Sequence, residues 1–259
     1  MRTVGIIPAR MESTRYPGKP LAPILGIPMI GHCYLRSAMS ELLDDVYVAT
    51  CNQEVVDYVE SIGGKAVMTA DTHERASDRT AEAVEKIEAE TGLAVDIVAM
   101  IQGDEPMLMP EMIDEAVRPI VDDPSIGVVS LMAPIGTAEE FEDPNEVKVV
   151  CSPDGFALYF SREPIPSRSK YDGDVPAMKQ VAIIPFRRDF LTTFNSLPQT
   201  PLEIIESVDL LRVIEHGDRV RMVETRFATY SVDTPEDLAR VEAAMTAGDA
   251  LLGLYRDRG

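Results

Sequence analysis

The sequence predicts an α/β protein with a mostly parallel sheet in three layers and a small antiparallel insertion. In the first half, short apolar runs alternate with amphipathic helical patterns, as in parallel sheets with right-handed crossovers. From about residue 144, strand-like runs follow one another across turns and a Pro-rich stretch, and near the C-terminus the α/β alternation returns. We therefore predict a single domain, residues 1–259, with an insertion at 144–186.

The elements follow from hydrophobic periodicity and turn signals. The strands predicted in the first half are Val4–Ile7, Val46–Ala49, Ala66–Met68, Ile97–Ile101 and Val128–Met132. The helices predicted between them are Met29–Ser40, Glu54–Ile62, Ser77–Thr91 and Pro110–Val121. The strands predicted later are Val147–Cys151, Phe156–Phe160, Val181–Pro185 and Val220–Val223, and the helices are Pro201–His216 and Pro235–Ala247.

Composition excludes several classes of function. With 24 Lys+Arg against 44 Asp+Glu, the net charge is −20, so the chain should be repelled by nucleic acids and anionic membranes. No apolar run approaches the roughly 18 residues of a membrane span. The N-terminus enters a strand pattern at once, without a secretion signal. Cys33, Cys51 and Cys151 form neither a metal-binding spacing nor an even set, so we expect a reducing, cytoplasmic location.

The charge is unevenly distributed along the chain. Residues 1–36 carry five basic residues against one acid, a net charge of +4, so the remaining residues carry −24. Fixed positive charge near one loop attracts a small polyanion. The alternative is a set of solvated surface arginines.

The loop after the first predicted strand carries three of these cations. Arg10, Arg15 and Lys19 stand there with Ser13, Thr14 and a Pro17-Gly18 turn. Ligands of open α/β sheets bind at the carboxyl ends of strands, and guanidinium and ammonium groups suit phosphate. The loop matches neither the Walker A nor the G-x-G-x-x-G pattern, which argues against kinases and dehydrogenases.

Two carboxylates are candidates for metal binding. Asp104 lies in Gln102-Gly103-Asp104-Glu105-Pro106, directly after an apolar strand, where Mg²⁺ would find an oxygen ligand. A simple Gly-Asp turn is the alternative. Asp233 directly precedes a helix start, with Thr234 as N-cap and a proline at N1, so a structural role is also open there.

Together these segments resemble the cytidylyltransferases that activate sugar acids, most closely the family of 3-deoxy-manno-octulosonate (Kdo) cytidylyltransferases. The resemblance covers nearly the whole chain. It rests on the stretches 7–20, 26–30, 102–107, 145–150, 157–162, 201–203 and 232–238. It implies a Rossmann-like nucleotidyltransferase sheet, CTP and an acidic acceptor as substrates, Mg²⁺ as cofactor, a homodimer formed through the insertion, and a step of lipopolysaccharide biosynthesis.

The resemblance also implies roles for individual residues. Arg10, Lys19, Asp104 and Asp233 would be catalytic, and the two aspartates would bind Mg²⁺. The residues implied in nucleotide binding are Pro8, Ala9, Arg10, Arg15, Lys19, Arg79 and Gln102. Those implied in acceptor binding are Arg162, Lys179, Gln180 and Glu203. The reaction would be an in-line attack of an acceptor oxygen on the α-phosphorus, which needs positioning and charge neutralisation but no covalent enzyme intermediate.

Three departures concern the acceptor and the nucleotide. Gln180 stands where the family has His, Ile184 where it has Tyr and Pro185 where it has Gly. The segment 73–79 contains Arg75, an added cation near the nucleotide, and Ala76 in place of Gly. Ser167 replaces a tryptophan, and the chain has none.

These departures leave the acceptor open. They fit either neutral drift in a Kdo enzyme or transfer to another acidic acceptor, such as a phosphonate or a different ulosonic acid. A non-catalytic nucleotide-binding regulator is the third possibility, and the presence of both aspartates argues against it.

Overall fold

The structure is a computed structural model that describes residues 1–12, 15–170, 173 and 175–258. The chain divides into two compact units. The first unit is Met1–Asp114 with Thr229–Gly259, and the second unit is Glu115–Ala228. Within the described ranges, no helix has the length and apolar character needed to cross a membrane.

The first unit contains a parallel sheet with flanking helices. Its strands are β1 Thr3–Ala9, β2 Pro23–Ile24, β3 Ile27–Pro28, β4 Asp45–Thr50, β5 Ala66–Met68 and β6 Ile97–Ile101. Its helices are α1 Met29–Ser37, α2 Gln53–Ser61, α3 Ala76–Thr91, α9 Pro235–Gly248 and α10 Leu252–Tyr255, with 3-10 helices at Lys19–Leu21 and Arg256–Arg258. Helix α4, Pro110–Asp122, contains the boundary with the second unit.

The second unit contains a sheet that is mainly antiparallel. The strands of this unit are β7 Val129–Pro134, β8 Lys148–Cys151, β9 Ala157–Ser161, β10 Met178–Val181, β11 Ile183–Arg187 and β12 Arg221–Glu224, and all of them except β11 belong to this sheet. Its helices are α5 Ala138–Glu142, α6 Arg188–Ser196, α7 Pro201–Glu206 and α8 Leu210–Glu215.

Four strands of the first unit pair in the order β6-β1-β4-β5, and every pairing is parallel. All five residues of β6 are buried, as expected for a strand covered on both faces. Parallel strands end at the same edge, so the loops after β1 and β6 are neighbours. This edge carries the residues that the sequence singles out.

In the second unit, β12-β7-β10-β8-β9 form one sheet in that order. Strands β7 and β12 are parallel, whereas the pairs β7–β10, β10–β8 and β8–β9 are antiparallel. Strand β9 is therefore at the edge of this sheet. The predicted fold class, a mostly parallel sheet with a small antiparallel one, is confirmed.

Three of the predicted elements pair differently or are broken in the structure. The strand predicted at 128–132 pairs in the second unit's sheet and not with β1, β4 and β5. The helix predicted at 201–216 is two helices, because Ser207 adopts a left-handed conformation with φ of 52°. The strand predicted at 181–185 is divided between β10 and β11.

Candidate active site

The ends of β1 and β6 form the floor of a pocket in the first unit. Gly103, two residues after the end of β6, lies so close to β1 that an added Cβ would be 3.1 Å from the carbonyl oxygen of Pro8. Only glycine allows this approach without movement of the neighbouring backbone. The Gln102-Gly103-Asp104 turn is thereby held against the start of the cation-rich loop.

The loop after β1 closes on itself before it reaches Lys19. Gly18 adopts a positive φ of 77°, which favours glycine, and its amide donates to the carbonyl of Met11 at 2.9 Å. The 3-10 helix Lys19–Leu21 follows directly. This turn directs Lys19 back toward the end of β6. Ser13 and Thr14, predicted in the same loop, lie outside the described residues.

Lys19 joins the two candidate metal ligands. Its Nζ lies 2.9 Å from Oδ2 of Asp104 and 3.4 Å from Oδ1 of Asp233, and it also donates to the carbonyl of Val232 at 2.9 Å. Because both carboxylate oxygens contact the same Lys19 nitrogen, the distance between them cannot exceed the sum of their distances to that nitrogen. Burial lowers the pKa of Lys19, but the attraction of Asp104 and Asp233 outweighs burial and raises this pKa above its usual 10.5.

Asp233 is held by the start of helix α9. Thr234 is the N-cap and Pro235 the first helical residue, as predicted, and Asp237 completes a capping box. The Asp237 carboxylate also accepts from the amide of Asp233 at 3.0 Å. Arg15 contacts the Asp233 carboxylate at 2.9 Å. The backbone before Asp233 is fixed as well, since the amide of Val232 donates to the carbonyl of Asp104 at 2.9 Å.

The pocket has a volume of roughly 760 Å³. Predicted catalytic and nucleotide-binding residues that line it are Pro8, Ala9, Arg10, Arg15, Lys19, Arg79, Gln102, Asp104 and Asp233. Its lining contains five Lys and Arg residues against four Asp and Glu residues, although the chain as a whole is strongly acidic. The pocket is thus a locally basic site of a size that suits a small-molecule ligand.

One wall of the pocket comes from helix α3 and the loop before it. Arg79 is only 3% exposed, and its Nη1 donates to Oγ1 of Thr69 at 2.5 Å and to the carbonyl of Ala70 at 3.2 Å. Its Nη2 is buried without a hydrogen-bond partner among the described residues. A buried guanidinium nitrogen that lines a pocket is suited to donate to a ligand oxygen or ring nitrogen.

Other residues of this wall are given no role by the sequence. His73 and Glu74 line the pocket beside Arg75, and Glu12 lines it from the loop after β1. His73 pairs with Glu82 of α3, whose carboxylate also accepts from the amide of Ala70 at 2.9 Å. Only the departure of segment 73–79 from the family pattern could have drawn attention to these residues.

The residues predicted to bind the acceptor lie in the second unit and do not line this pocket. Arg162 donates to three backbone carbonyls, of Pro144, Glu206 and Ser207. Lys179 contacts Glu140 at 2.5 Å and Glu146 at 3.2 Å.

Gln180 and Glu203 also have partners in the second unit. Gln180 donates to Oγ of Ser130 at 3.3 Å. Glu203 is fully buried and paired with Arg212 at 2.8 and 2.6 Å. The acceptor-binding assignment of these residues stays a prediction.

An open parallel sheet whose strand ends surround a basic pocket with paired carboxylates defines a nucleotide-binding α/β protein. The sequence profile of the family described as Cytidylyltransferase matches residues 4–223. The 3-deoxy-manno-octulosonate cytidylyltransferase of Geobacter metallireducens is 45% identical over 251 residues, covering 93% of this chain and 96% of that protein. The enzyme of the same name from Geobacter sulfurreducens is 42% identical, covering 93% and 98%. The chain belongs to the cytidylyltransferase family and, within it, to the 3-deoxy-manno-octulosonate cytidylyltransferases.

A solved structure agrees with this assignment. The structure of CMP:2-keto-3-deoxy-manno-octonic acid synthetase complexed with CTP matches with a TM-score of 0.88 and 39% identity, covering 95% of this chain and 99% of that one. A cytidylyltransferase from Leptospira borgpetersenii serovar Hardjo-bovis matches with a TM-score of 0.63 at 17% identity, covering 99% and 94%. The second match supports the shared fold alone.

Proposed function

We propose that this chain transfers CMP from CTP to Kdo and releases pyrophosphate, which activates the sugar acid for lipopolysaccharide biosynthesis. The observation that carries the proposal is the position of Lys19 between Asp104 and Asp233 in a basic pocket. The names of the relatives, and the CTP complex of the solved structure, support CTP as donor and Kdo as acceptor.

The cations of the loop after β1 suit the triphosphate. Arg10 is exposed and forms no ion pair with another described residue, so its guanidinium is available to phosphate oxygens. Arg15 and Lys19, which both contact the Asp233 carboxylate, add two positive charges to the lining of the same pocket. Their combined charge offsets the negative charge that develops on departing pyrophosphate.

The wall at Arg79 suits the nucleoside. The buried Nη2 of Arg79 has no partner in the described protein, and Gln102 lines the same pocket. A cytosine ring offers a carbonyl oxygen and a ring nitrogen as acceptors and an amino group as donor. One guanidinium and one amide meet both requirements.

The transfer exchanges a phosphoanhydride bond for a phosphodiester bond. An acceptor hydroxyl oxygen attacks the α-phosphorus, the bond from this phosphorus to the bridging oxygen of the β-phosphate breaks, and pyrophosphate leaves with that oxygen. The proton of the attacking hydroxyl passes to solvent or to a base. The basic pocket holds the donor in place for this step, and no residue of the chain forms a covalent intermediate.

Asp104 and Asp233 would hold Mg²⁺. Within the described part of the chain, no group of three or more Asp, Glu, His or Cys side chains could bind a metal alone. Two carboxylates fit Mg²⁺ nonetheless, because this ion commonly takes one or two protein carboxylates and completes its shell with water and substrate phosphates. When bound, it would supply charge stabilisation at the phosphates.

The proposal also includes the residues that contact the acceptor, a homodimer and a cytoplasmic location. Arg162, Lys179 and Gln180 are the proposed acceptor contacts. The proposed homodimer is supported by the exposed apolar residues Leu158, Ile204 and Ile205 of the second unit. The three cysteines are free, which suits the cytoplasm, where CTP is made.

The experiment is a pyrophosphate-release assay with CTP and Mg²⁺, in which Kdo, a nine-carbon sialic acid and phosphonoformate are offered in parallel. We expect turnover with Kdo, its loss when EDTA removes the metal, and its recovery when Mg²⁺ is restored. Asp104→Asn and Asp233→Asn should each lower kcat by about 100-fold or more without lowering the Tm. Asp257→Asn, which changes an exposed aspartate of the C-terminal segment, is the matched control.

Each other result has a definite meaning. Turnover with another acid alone would assign a different acceptor and make Gln180 and Ile184 the first residues to test. CTP binding without turnover on any acceptor would favour the regulator. Full activity of either aspartate variant would contradict the metal assignment.

A further inference from the structure

A second buried polar cluster lies in the first unit, outside the residues that line the pocket. Its members are His32 and Arg36 of helix α1, and Asp249 and Tyr255 near the C-terminus. His32 and Arg36 are fully buried, and Tyr255 is 1% exposed. A buried arginine is strongly unfavourable unless it is paired, so its partners define what the cluster holds together.

Arg36 joins helix α1 to the C-terminal segment. Its guanidinium forms an ion pair with Asp249, whose side chain is 3% exposed. Its Nε donates to the hydroxyl of Tyr255 at 2.9 Å. The carboxylate and the hydroxyl together anchor residues 249–255 on α1.

The hydrogen bonds of Tyr255 assign the protons of His32. The Tyr255 oxygen accepts from Arg36, so its own hydrogen is free to go to Nδ1 of His32 at 2.8 Å. Nε2 of His32 then carries the ring proton and donates to the carbonyl of Ile24 at 2.9 Å. This neutral form agrees with burial, which lowers the pKa of His32. The network thus reaches the β2–β3 hairpin that follows Lys19.

Helix α9 connects this cluster to the pocket. It has 14 residues, Pro235–Gly248, and is therefore about 21 Å long. Asp233 precedes its first residue, and Asp249 follows its last. Between the two ends, Glu242 accepts from the amide of Leu25 in the hairpin at 3.2 Å.

The start of helix α1 is tied to Lys19 by the backbone. The amide of Met29 donates to the carbonyl of Ala22 at 2.9 Å, and the amide of Ala22 donates to the carbonyl of Lys19 at 3.1 Å. One apolar cluster fills the space between these elements: Ile24, Met29, Val232, Val241 and Met245. Lys19 and Asp233 therefore belong to two elements, α1 with its preceding segment and α9, that are fastened together at the far end by Arg36 and Asp249.

We propose that Asp249 is a positioning residue, which acts through Arg36 and Tyr255 to fix helix α9 against helix α1 and so holds Asp233 beside Lys19. The inference rests on the proposed role of Asp233 in binding CTP with its metal. Asp249 itself does not line the pocket.

The test is a double-mutant cycle on the dissociation constant of CTP, measured by calorimetry with Mg²⁺ well below every Tm. Asp249→Asn should raise this constant about fivefold in the wild-type background. In the Asp233→Asn background, Asp249→Asn should change the dissociation constant of CTP less than about twofold, because the carboxylate that Asp249 positions is already lost. Asp257→Asn, an exposed aspartate in the same terminal segment, should leave it unchanged.

Residues at opposite ends of a helix about 21 Å long normally contribute independently, so an equal effect of Asp249→Asn in both backgrounds would overturn the inference. An unchanged dissociation constant for Asp249→Asn in the wild-type background would also overturn the inference. If Asp233→Asn leaves CTP binding and turnover at wild-type values, the proposed function of Asp233 fails instead. Should Asp249→Asn not fold, Tyr255→Phe, which removes only the bridging hydroxyl, decides by the same cycle with an expected change of about twofold to threefold.

Discussion

Lys19 shows how a single side chain organises the pocket. Burial alone would lower its pKa, but the two aspartates raise it above 10.5. A raised pKa means that the ammonium is charged at every pH below this value, and its attraction to the carboxylates is lost only when the pH rises beyond it. Lys19 therefore keeps its charge across the physiological range and can neutralise phosphate throughout it.

The contacts of Glu203 favour a structural role over a role in acceptor binding. Both carboxylate oxygens accept from Arg212, which also lies 4.6 Å from the ring centroid of Phe194. The carboxylate also accepts from the amide of Thr200, the N-cap residue of α7, at 3.2 Å. Its hydrogen-bonding capacity is largely used within the second unit.

Glu203→Ala should therefore lower the free energy of unfolding by about 3 kcal/mol, because it leaves the buried Arg212 without its partner. Urea unfolding measures this loss, and Glu224→Ala, an exposed glutamate of the same unit, is the control. Where the variant is folded, the KM for Kdo should stay within about twofold of wild type. A KM raised tenfold or more, with stability unchanged, would restore Glu203 as an acceptor contact.

The pocket could be predicted from the sequence because its residues follow strand ends. Arg10 comes after β1, and Gln102 and Asp104 after β6, so their common edge follows from a parallel sheet. The Arg36–Asp249 pair could not be predicted, because nothing in local periodicity indicates that residues so distant in sequence share a buried ion pair. The partners of Arg162, which are also distant in sequence, could not be predicted for the same reason.

At the scale of elements, apolar runs located the strands well, whereas backbone breaks escaped detection. Strand β6 was predicted with its observed bounds because five consecutive apolar residues are typical of a strand buried on both faces. The break between α7 and α8 depends on Ser207 in a left-handed conformation, which a serine rarely adopts. Periodicity continues across this break, so the two helices looked like one.

Hydrogen bonds to the carboxylate of Glu82 join helix α3 to the loop before it. Its carboxylate accepts from the amide of Ala70, from His73 and from Lys86, the last at 2.7 Å. Burial raises the pKa of Glu82, but these three donors outweigh burial and lower it to about 2 from a usual value of 4.5. A lowered pKa contributes stability at pH values above 4.5, and this contribution is lost as the pH falls through about 2.

Glu82→Gln should lower the Tm at pH 7 by about 3 °C, the shift expected for about 1 kcal/mol in a chain of this size. The difference from wild type should narrow as the pH falls from about 4.5 toward about 2. Because His73 lines the pocket, the KM for CTP should rise as well. Thermal melts over this pH range test the claim, with the exposed Glu85→Gln on the same helix as control. If the difference in Tm between Glu82→Gln and wild type were independent of pH, the charge of the Glu82 carboxylate would not be what stabilises the loop.

At the scale of the whole molecule, the distribution of charge bears on anion binding, and the distribution of exposed apolar surface bears on association with a second chain. The net charge of −20 opposes the approach of large polyanions at long range, while the pocket, with its five Lys and Arg residues, suits a single small one. In the second unit, β9 is an edge strand, and Leu158 on it is 58% exposed. Helix α7 exposes Ile204 and Ile205 at 59% and 74%, and its Glu206 accepts from the hydroxyl of Tyr159 in β9 at 3.0 Å.

An edge strand beside exposed isoleucines is a surface that a second copy of the chain would cover. We expect light scattering after size-exclusion chromatography to give twice the chain mass of 28.5 kDa. Ile205→Glu should reduce the mass to that of one chain, because a buried, unpaired carboxylate at an interface is strongly unfavourable. Leu254→Glu, at a residue of the first unit that is 66% exposed, should leave the dimer intact. A wild-type protein with the mass of one chain would contradict the homodimer, and a dimeric Ile205→Glu variant would place the interface elsewhere.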